Sequence, residues 1–254
     1  LAFSKEAMYR WRGVFRLLAF AWITSLRLAH ILLLSFFFGK DERVAIRLRR
    51  KLANRLVRLL GIDCEFQGEI PTVAFVGVTN HRSYIDSVCI FKWVDACPVV
   101  KAEVSRWPLI GWGLKHTATV FVERERKASR QATRSQIAQF VLRGISTIVF
   151  VEGTTYRGPE IGAFRPGTFI TAAMHNLPVL PIAIEFSNPD AAWVGNDTFV
   201  PHFINYFGKN RRSRVKVSFG PLRYHEDGER LQEECHKWVA QSVKSMQAAF
   251  LAES

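Results

Sequence analysis

A histidine and an aspartate stand five residues apart in the run Asn80-His81-Arg82-Ser83-Tyr84-Ile85-Asp86. Their types are those of a general base and the carboxylate that orients it. A neutral imidazole takes a proton from a hydroxyl, and an acid on its other ring nitrogen fixes the tautomer and stabilises the imidazolium. On a continuous helix this spacing would set the two about 140° apart, at roughly 100° per residue. A strand-to-helix corner removes that obstacle. Residues 72–79 (TVAFVGVT) read as a strand and 86–94 as an amphipathic helix, so the pair falls at the corner between them. Asp86 there also suits the helix N-cap and the positive end of the helix dipole. The bland alternative is a surface loop with a capping aspartate and an incidental histidine, and spacing alone does not decide between them.

The elements that would carry such a corner begin at residue 62. Strand-like runs at 72–79, 97–101, 118–123, 146–151, 179–186 and 214–219 alternate with helix-like runs at 86–94, 126–143, 168–176 and 228–250. The alternation indicates an α/β fold, a mixed sheet covered by helices. The connections 153–167 and 187–210, rich in Pro, Gly and Asn, are long enough to be of the functional kind. No linker divides the region, so two units are expected: residues 1–60 for membrane attachment, and 61–254 as the α/β domain.

Residues 14–38 are strongly apolar but interrupted by Arg16, Arg27 and His30. As one helix they would reach about 37 Å, enough for a bilayer core of roughly 30 Å. Arg27 would then sit near mid-membrane, at about 2.5–3.5 kcal/mol on insertion scales. A hairpin of two shorter helices meeting near residues 25–27 or later, dipping into one leaflet, avoids much of that. Residues 40–60 follow as a basic amphipathic helix, with Val44, Leu48, Leu52, Leu56, Leu59 and Leu60 at three-to-four spacing among eight Lys/Arg. The chain's net charge of +13 is concentrated here, with thirteen Lys/Arg against three acids in residues 1–60. Anionic lipid and nucleic acid are the candidate partners. Nucleic acid is disfavoured, because aromatic residues are not interleaved with the charge and no nucleic-acid fold signature follows.

Phosphate-loop, zinc-protease and hydrolase-elbow readings find no motif. Cys64, Cys89, Cys97 and Cys235 show no zinc spacing; Cys89 and Cys97 lie in apolar runs as core thiols, and a reducing cytoplasmic setting is the default. The other histidines have no acid in a comparable block and read as surface or packing residues.

Four further segments accompany the His81 block in fixed order: KAEVSRWPLIGW from Lys101, ATVFVER ending at Arg124, FVEGTT at 150–155 with FRPG at 164–167, and LPVLPI at 177–182. With NHRSYID they resemble the glycerolipid acyltransferases, the 1-acylglycerol-3-phosphate acyltransferase family, over about residues 75–220. The resemblance implies transfer of a fatty acyl group from acyl-CoA or acyl carrier protein to a lysolipid hydroxyl. The leading acceptor is 1-acylglycerol-3-phosphate, giving phosphatidate; another lysolipid such as lyso-ornithine lipid is the alternative. It implies no metal or cofactor beyond the thioester co-substrate, a membrane partner, no nucleic acid, and the cytoplasmic face of a bacterial inner membrane. A non-catalytic protein binding anionic lipid or nucleic acid is the rival of another class.

By matching position, His81 is the base and Asp86 its orienting carboxylate. A thioester is already activated, so removing the hydroxyl proton during direct attack suffices and no acyl-enzyme is needed. Lys101 and Arg124, near the ends of expected strands, would hold the acceptor's phosphate. Glu152, Gly153 and Thr154 would either shape the acceptor pocket or support the His81 loop. Val151 stands where the family usually has proline, and Thr155 where many lysophosphatidate enzymes carry arginine. Arg157, or else Arg165, is the candidate replacement for that arginine. The Trp193 segment looks like family texture without a catalytic role.

Overall fold

The computed structural model describes residues 4–253. Among them lie helices α1 (Lys5–Phe38), α2 (Glu42–Leu60), α3 (Ile85–Phe91), α4 (Ile110–Lys115), α5 (Lys127–Leu142), α6 (Gly167–Met174), α7 (Phe199–Lys209) and α8 (Gly228–Ala252). The strands are β1 (Ile62–Gln67), β2 (Val76–Thr79), β3 (Ala96–Lys101), β4 (Val120–Val122), β5 (Ser146–Phe150), β6 (Val179–Phe186) and β7 (Ser213–Phe219). They form one mixed sheet in the order β1-β7-β6-β2-β5-β3-β4, parallel throughout except for the antiparallel β6–β7 pair. The α/β architecture expected from the sequence is the one observed.

Helices cover both faces. One core joins α2, α3 and α7 to Ile148, Leu180, Ile182, Ile184, Val215 and Val217. The other joins α5, α6 and α8 to Val76, Val78, Val149, Val179 and Ala183. Every residue of β6 is buried, which is why its sequence runs apolar without alternation from Val179 to Ile184. The connections fix where a ligand can enter. From β2 the chain crosses past β5 to β3, and from β5 it crosses past β2 to β6. Neighbours that send their chains in opposite directions leave a crevice at their carboxyl ends. The His81 block leaves β2 and the Glu152 block leaves β5, both at that crevice.

The N-terminal helices correct one expectation. There is no break near residues 25–27; α1 runs unbroken for 34 residues, and the hairpin turns at residues 39–41. Gly39 takes the positive φ the turn requires, and the Asp41 carboxylate accepts the Arg43 and Val44 N–H groups to start α2. The helix need not break to spare Arg27, because Arg27 faces inward and is buried. Nor does all of the basic excess face a partner. The guanidiniums of Arg12 and Arg16 donate to the carbonyls of Gly208, Lys209, Phe207, Asn210 and Arg211 at the open end of α7. Arg49 donates to the carbonyls of Ala96, Thr117 and Ala118.

Three elements fall outside the expected set. β1 is an edge strand with the charges of Asp63 and Glu65 among its exposed positions, α4 is a short helix at the end of the Lys101 block, and α7 lies within 187–210, where Pro201 and Gly208 read as loop. β2 starts four residues later than expected. Its ladder with β5 opens at the pairing of Val76 with Thr147, and Phe75 bonds instead to the Ser146 hydroxyl and the Thr147 N–H. The four cysteines are buried free thiols, and α8 packs through Leu231, Cys235, Val239 and Val243.

Candidate active site

The corner after β2 is held by its own side chains. Asn80 continues the β2–β6 ladder, its amide donating to the Ile184 carbonyl and accepting the Ile184 N–H, both at 2.9 Å. The chain then turns so that one oxygen of Asp86, Oδ2, collects three donors. These are the N–H groups of Arg82 (2.7 Å) and Ser83 (2.9 Å) and the His81 ring at Nδ1 (2.7 Å). Asp86 is fully buried. Its carboxylate folds back over the loop instead of capping α3, so the capping expectation is replaced by a tighter one: it shapes the corner and orients the ring together. An acid on Nδ1 leaves Nε2 as the proton acceptor, and Nε2 has no partner among the described residues. The ring stacks on Phe150 at 4.1 Å between centroids, fixing its plane.

His81 lines a cavity of about 620 Å³ whose walls are mainly apolar, from α1, α2, α3, α4, α7 and β3. Lys101, Arg124, Gly153 and Thr154 line it as well, so four of the expected substrate residues meet the base in one space. Lys101 is about half exposed and lies 3.9 Å from Glu103. Arg124 crosses from the end of β4 and donates to the Gly153 carbonyl. Burial and the neighbouring Arg165 both lower its pKa from the ordinary arginine value. Gly153 takes φ +79°, which favours glycine, and a Cβ there would have to displace the exposed Arg165 guanidinium. Leu109, also in the wall, sits at φ 62° in a tight turn closed by Ile110 N–H on the Pro108 carbonyl.

Two expected substrate residues point elsewhere. Glu152 does not line the cavity. It is buried beneath the loop, where its two oxygens accept the His81 N–H at 2.5 Å and the Gly162 N–H at 2.6 Å. Arg157 is outside the lining too, reaching the Ala192 carbonyl at 3.4 Å. Thr155 spends its hydroxyl on the Trp193 carbonyl. Arg165 is exposed over the Gly153 turn. Val151 donates its N–H to Thr79, coupling the ends of β5 and β2 in a way proline cannot.

A family model described as Acyltransferase matches residues 61–185. The lyso-ornithine lipid O-acyltransferase of Pseudomonas aeruginosa is 30% identical over 161 residues, 61% of this chain and 62% of that protein. That of Brucella abortus is 29% identical over 195 residues, 68% of this chain and 73% of that protein. The 1-acyl-sn-glycerol-3-phosphate acyltransferase of Helicobacter pylori is 25% identical over 176 residues, 68% and 72%. A crystal structure of the 1-acyl-sn-glycerophosphate acyltransferase from Thermotoga maritima shares the fold, with TM-score 0.69 over 95% of this chain and 98% of that one at 20% identity. Residues 61–185 belong to the acyltransferase family, and the chain as a whole is similar to the glycerolipid acyltransferases.

Within this acyltransferase-family site, four supporting side chains escape a reading of spacing. Arg82 is buried; it donates to Glu185 at 2.7 Å and to the Glu160 carbonyl at 2.9 Å, strapping the 153–163 loop across the His81 corner. Trp193 lines the cavity and takes its backbone N–H to the Arg82 carbonyl. Trp107 and Tyr84 meet Trp193 edge-on at 5.8 and 5.7 Å. The 187–198 segment, read from sequence as texture, is thus a wall of the site. A separate polar cleft of about 790 Å³ near Lys40, Lys115 and Arg143 lies at the amino ends of β4 and β5, away from His81.

Glu152 yields a pH prediction. Burial pushes its carboxyl up to about 7, against the opposing pull of the two backbone N–H groups. Between the ordinary carboxylate range and about 7, the folded acyltransferase keeps a proton that the unfolded chain has released. Stability contributed by Glu152 is therefore complete at acid pH and lost as pH rises through about 7. Glu152→Gln removes that decline. The melting temperature of wild type relative to the variant should fall between about pH 5 and pH 8; parallel curves would refute it.

Proposed function

We propose that the protein transfers a fatty acyl group from a thioester, acyl-CoA or acyl carrier protein, to the free hydroxyl of a lysolipid, with His81 as general base. One observation carries the reading: Nδ1 is tied to the buried Asp86 at 2.7 Å while Nε2 is left unpartnered in a ring lining a largely apolar cavity. As the acceptor oxygen attacks the thioester carbonyl, its proton passes to Nε2 and the C–O bond forms. The C–S bond then breaks, and the imidazolium returns the proton to the departing sulfur. Asp86 stabilises the imidazolium between these steps. The acyl chain lies along the apolar wall.

Lys101 and Arg124 receive the acceptor's acidic head, and Gly153 and Thr154 shape its seat. Glu152 acts as a positioning residue for His81. The resemblance alone puts the phosphate monoester of 1-acylglycerol-3-phosphate first. Two observations favour a less densely charged head of the lyso-ornithine kind. Thr155 and Arg157 are engaged with backbone carbonyls, as is one nitrogen of Arg124, leaving Lys101, 3.9 Å from Glu103, the least committed of the cations that follow the strand ends. The relatives from Pseudomonas aeruginosa and Brucella abortus also bear that activity in their names. The test is a comparison of the two acceptors, with one purified sample and one donor. Faster transfer to lysophosphatidate would reverse the preference. Lys101→Ala should raise KM about ten-fold or more for the better acidic acceptor, in line with the worth of a charged hydrogen bond, and far less for a neutral glycerolipid. Equal changes would remove Lys101 from headgroup binding.

Residues 1–60 attach the enzyme to the cytoplasmic face of the membrane, and 61–254 carry the chemistry. In α1, Trp11, Phe15, Leu18, Trp22, Leu26, Leu33 and Phe37 form an exposed apolar stripe, whereas the opposite side is fixed to α7 by Arg12 and Arg16. One available face suits a helix lying along a single leaflet, with the basic face of α2 at the headgroups. Labelling of a cysteine at residue 37 by an impermeant reagent from the far side of the membrane would refute this.

A further inference from the structure

Arg27 has no part in the reaction described above, yet it faces the same cavity. It projects from α1 with only 7% of its surface accessible. Its guanidinium has no hydrogen bond or ion pair among the described residues, and its Nε is enclosed with no acceptor. One turn earlier on the same helix, Thr24 lines the same cavity at 7% exposure, and its hydroxyl is enclosed and unpartnered too. The other buried cations each meet a carboxylate: Arg82 meets Glu185 at 2.7 Å, although its Nε is unpaired as well, and Lys216 meets Glu253 at 2.6 Å.

Nothing in the cavity wall answers the charge. Among its lining residues Glu103 is the carboxylate, and it sits with Lys101. Burial and the like charge of Arg55 both work against the Arg27 cation. A guanidinium offers five donors and no acceptor, and a buried cation is tolerated when an anion and its lone pairs meet it. Native proteins leave few buried polar groups unpaired, and two together on one helix face call for a partner the chain itself does not supply.

We propose that Thr24 and Arg27 form an anion subsite in the wall of the lipid cavity. It takes the acidic head of a single-chain amphiphile whose tail lies along the apolar wall towards His81. The subsite is distinct from Lys101 and Arg124, which come from the ends of β3 and β4. A fatty acid carboxylate and an alkyl phosphate share the chemistry it selects. Such a molecule occupies the space of the acyl chain, so it slows acyl transfer by competing with the lipid substrates. That consequence rests on the proposed reaction, whereas binding does not, and the two are measured separately.

The full chain in neutral detergent is titrated with dodecyl phosphate, dodecanoate and dodecanol, which differ only in the head. Binding is read from the shift in melting temperature, and inhibition from acyl transfer to one acceptor. Both anions should bind about ten-fold or more tightly than dodecanol, as expected for a charge-assisted contact in a dry site. Arg27→Leu should reduce them to the level of dodecanol, and Thr24→Val should weaken them a few-fold. Arg27→Lys, which keeps the charge, should retain much of the preference and serves as the reference should the leucine variant fold poorly. Preference for dodecyl phosphate alone would identify a phosphate head, and for dodecanoate alone a carboxylate; either supports the subsite. Equal binding of all three in wild type, or a preference unchanged in Arg27→Leu, would overturn it. Anion-selective binding that leaves acyl transfer untouched in an active sample would overturn it as well, because the tail would then lie outside the chain's path. An inactive sample that still shows Arg27-dependent binding would count against the proposed reaction and for the subsite.

Discussion

Replacing His81 with alanine should lower kcat/KM for acyl transfer by about 10²–10⁴-fold, the range a positioned general base supplies. That is roughly 3–5 kcal/mol of transition-state stabilisation. The loss should fall mainly on kcat, since the apolar wall and the cations near the head remain. Folding should change little. The ring is partly exposed and touches Phe150 on one side, while Asp86 keeps two backbone N–H partners after the ring is gone. His81→Gln, which fills part of the ring's volume without a base, should be as inactive as alanine. Steady-state rates and melting temperatures on the two variants separate the outcomes. Activity near wild type in either one would remove His81 from the chemistry and leave the cavity as a lipid-binding pocket.

Much of this site was legible in the chain because its parts are short and local. His81, Asp86 and the residues between them lie in one corner, and nearest-neighbour geometry decides whether the two side chains meet. Lys101 and Arg124 were legible for a related reason. Lys101 ends β3 and Arg124 follows the end of β4 by two residues, and the carboxyl ends of neighbouring parallel strands share one rim. Glu152 and Arg157 mark the limit of that reasoning. Both follow β5 at the same rim, yet one turns under the loop and the other reaches to residue 192. Side-chain direction after a strand end is set by what packs beneath, and sequence spacing carries no record of it.

The same limit explains α1. Hydropathy sees an apolar run broken by arginines, and the sequence therefore argues for a break or for snorkelling. The structure resolves the conflict with long-range partners. Arg12 and Arg16 are consumed by α7, almost two hundred residues away, and α7 itself was hidden in a stretch that proline and glycine made look like loop. Arg82 tells a similar story. Within the NHRSYID run it reads as a solvated charge, but its partner Glu185 lies next to last in β6, and only the register of β2 beside β6 brings them together. Tertiary pairing of this kind is what local propensity cannot express.

Asp86→Asn tests the other half of the proposed catalytic pair, and the two backbone donors on Oδ2 make its outcome specific. An asparagine can seat its amide in two ways. Placing the NH₂ group at Oδ2 would set it against the N–H groups of Arg82 and Ser83, two donors facing a third. The amide oxygen is therefore forced into that position, where it still accepts from Nδ1 and preserves the tautomer. In serine proteases the corresponding change drops kcat about 10⁴-fold because the wrong tautomer forms. Here the tautomer is held, and what is lost is the negative charge that stabilises the imidazolium. The fall in kcat/KM should accordingly be smaller, about 10²–10³-fold, with the melting temperature close to wild type. Asp86→Ala should differ in kind. It strands the two N–H groups in a buried corner at about 1–3 kcal/mol each, so stability and activity fall together. Rates and unfolding curves for both variants distinguish loss of charge from loss of scaffold. If asparagine destabilises the protein as much as alanine does, the acid serves the loop and not the proton transfer.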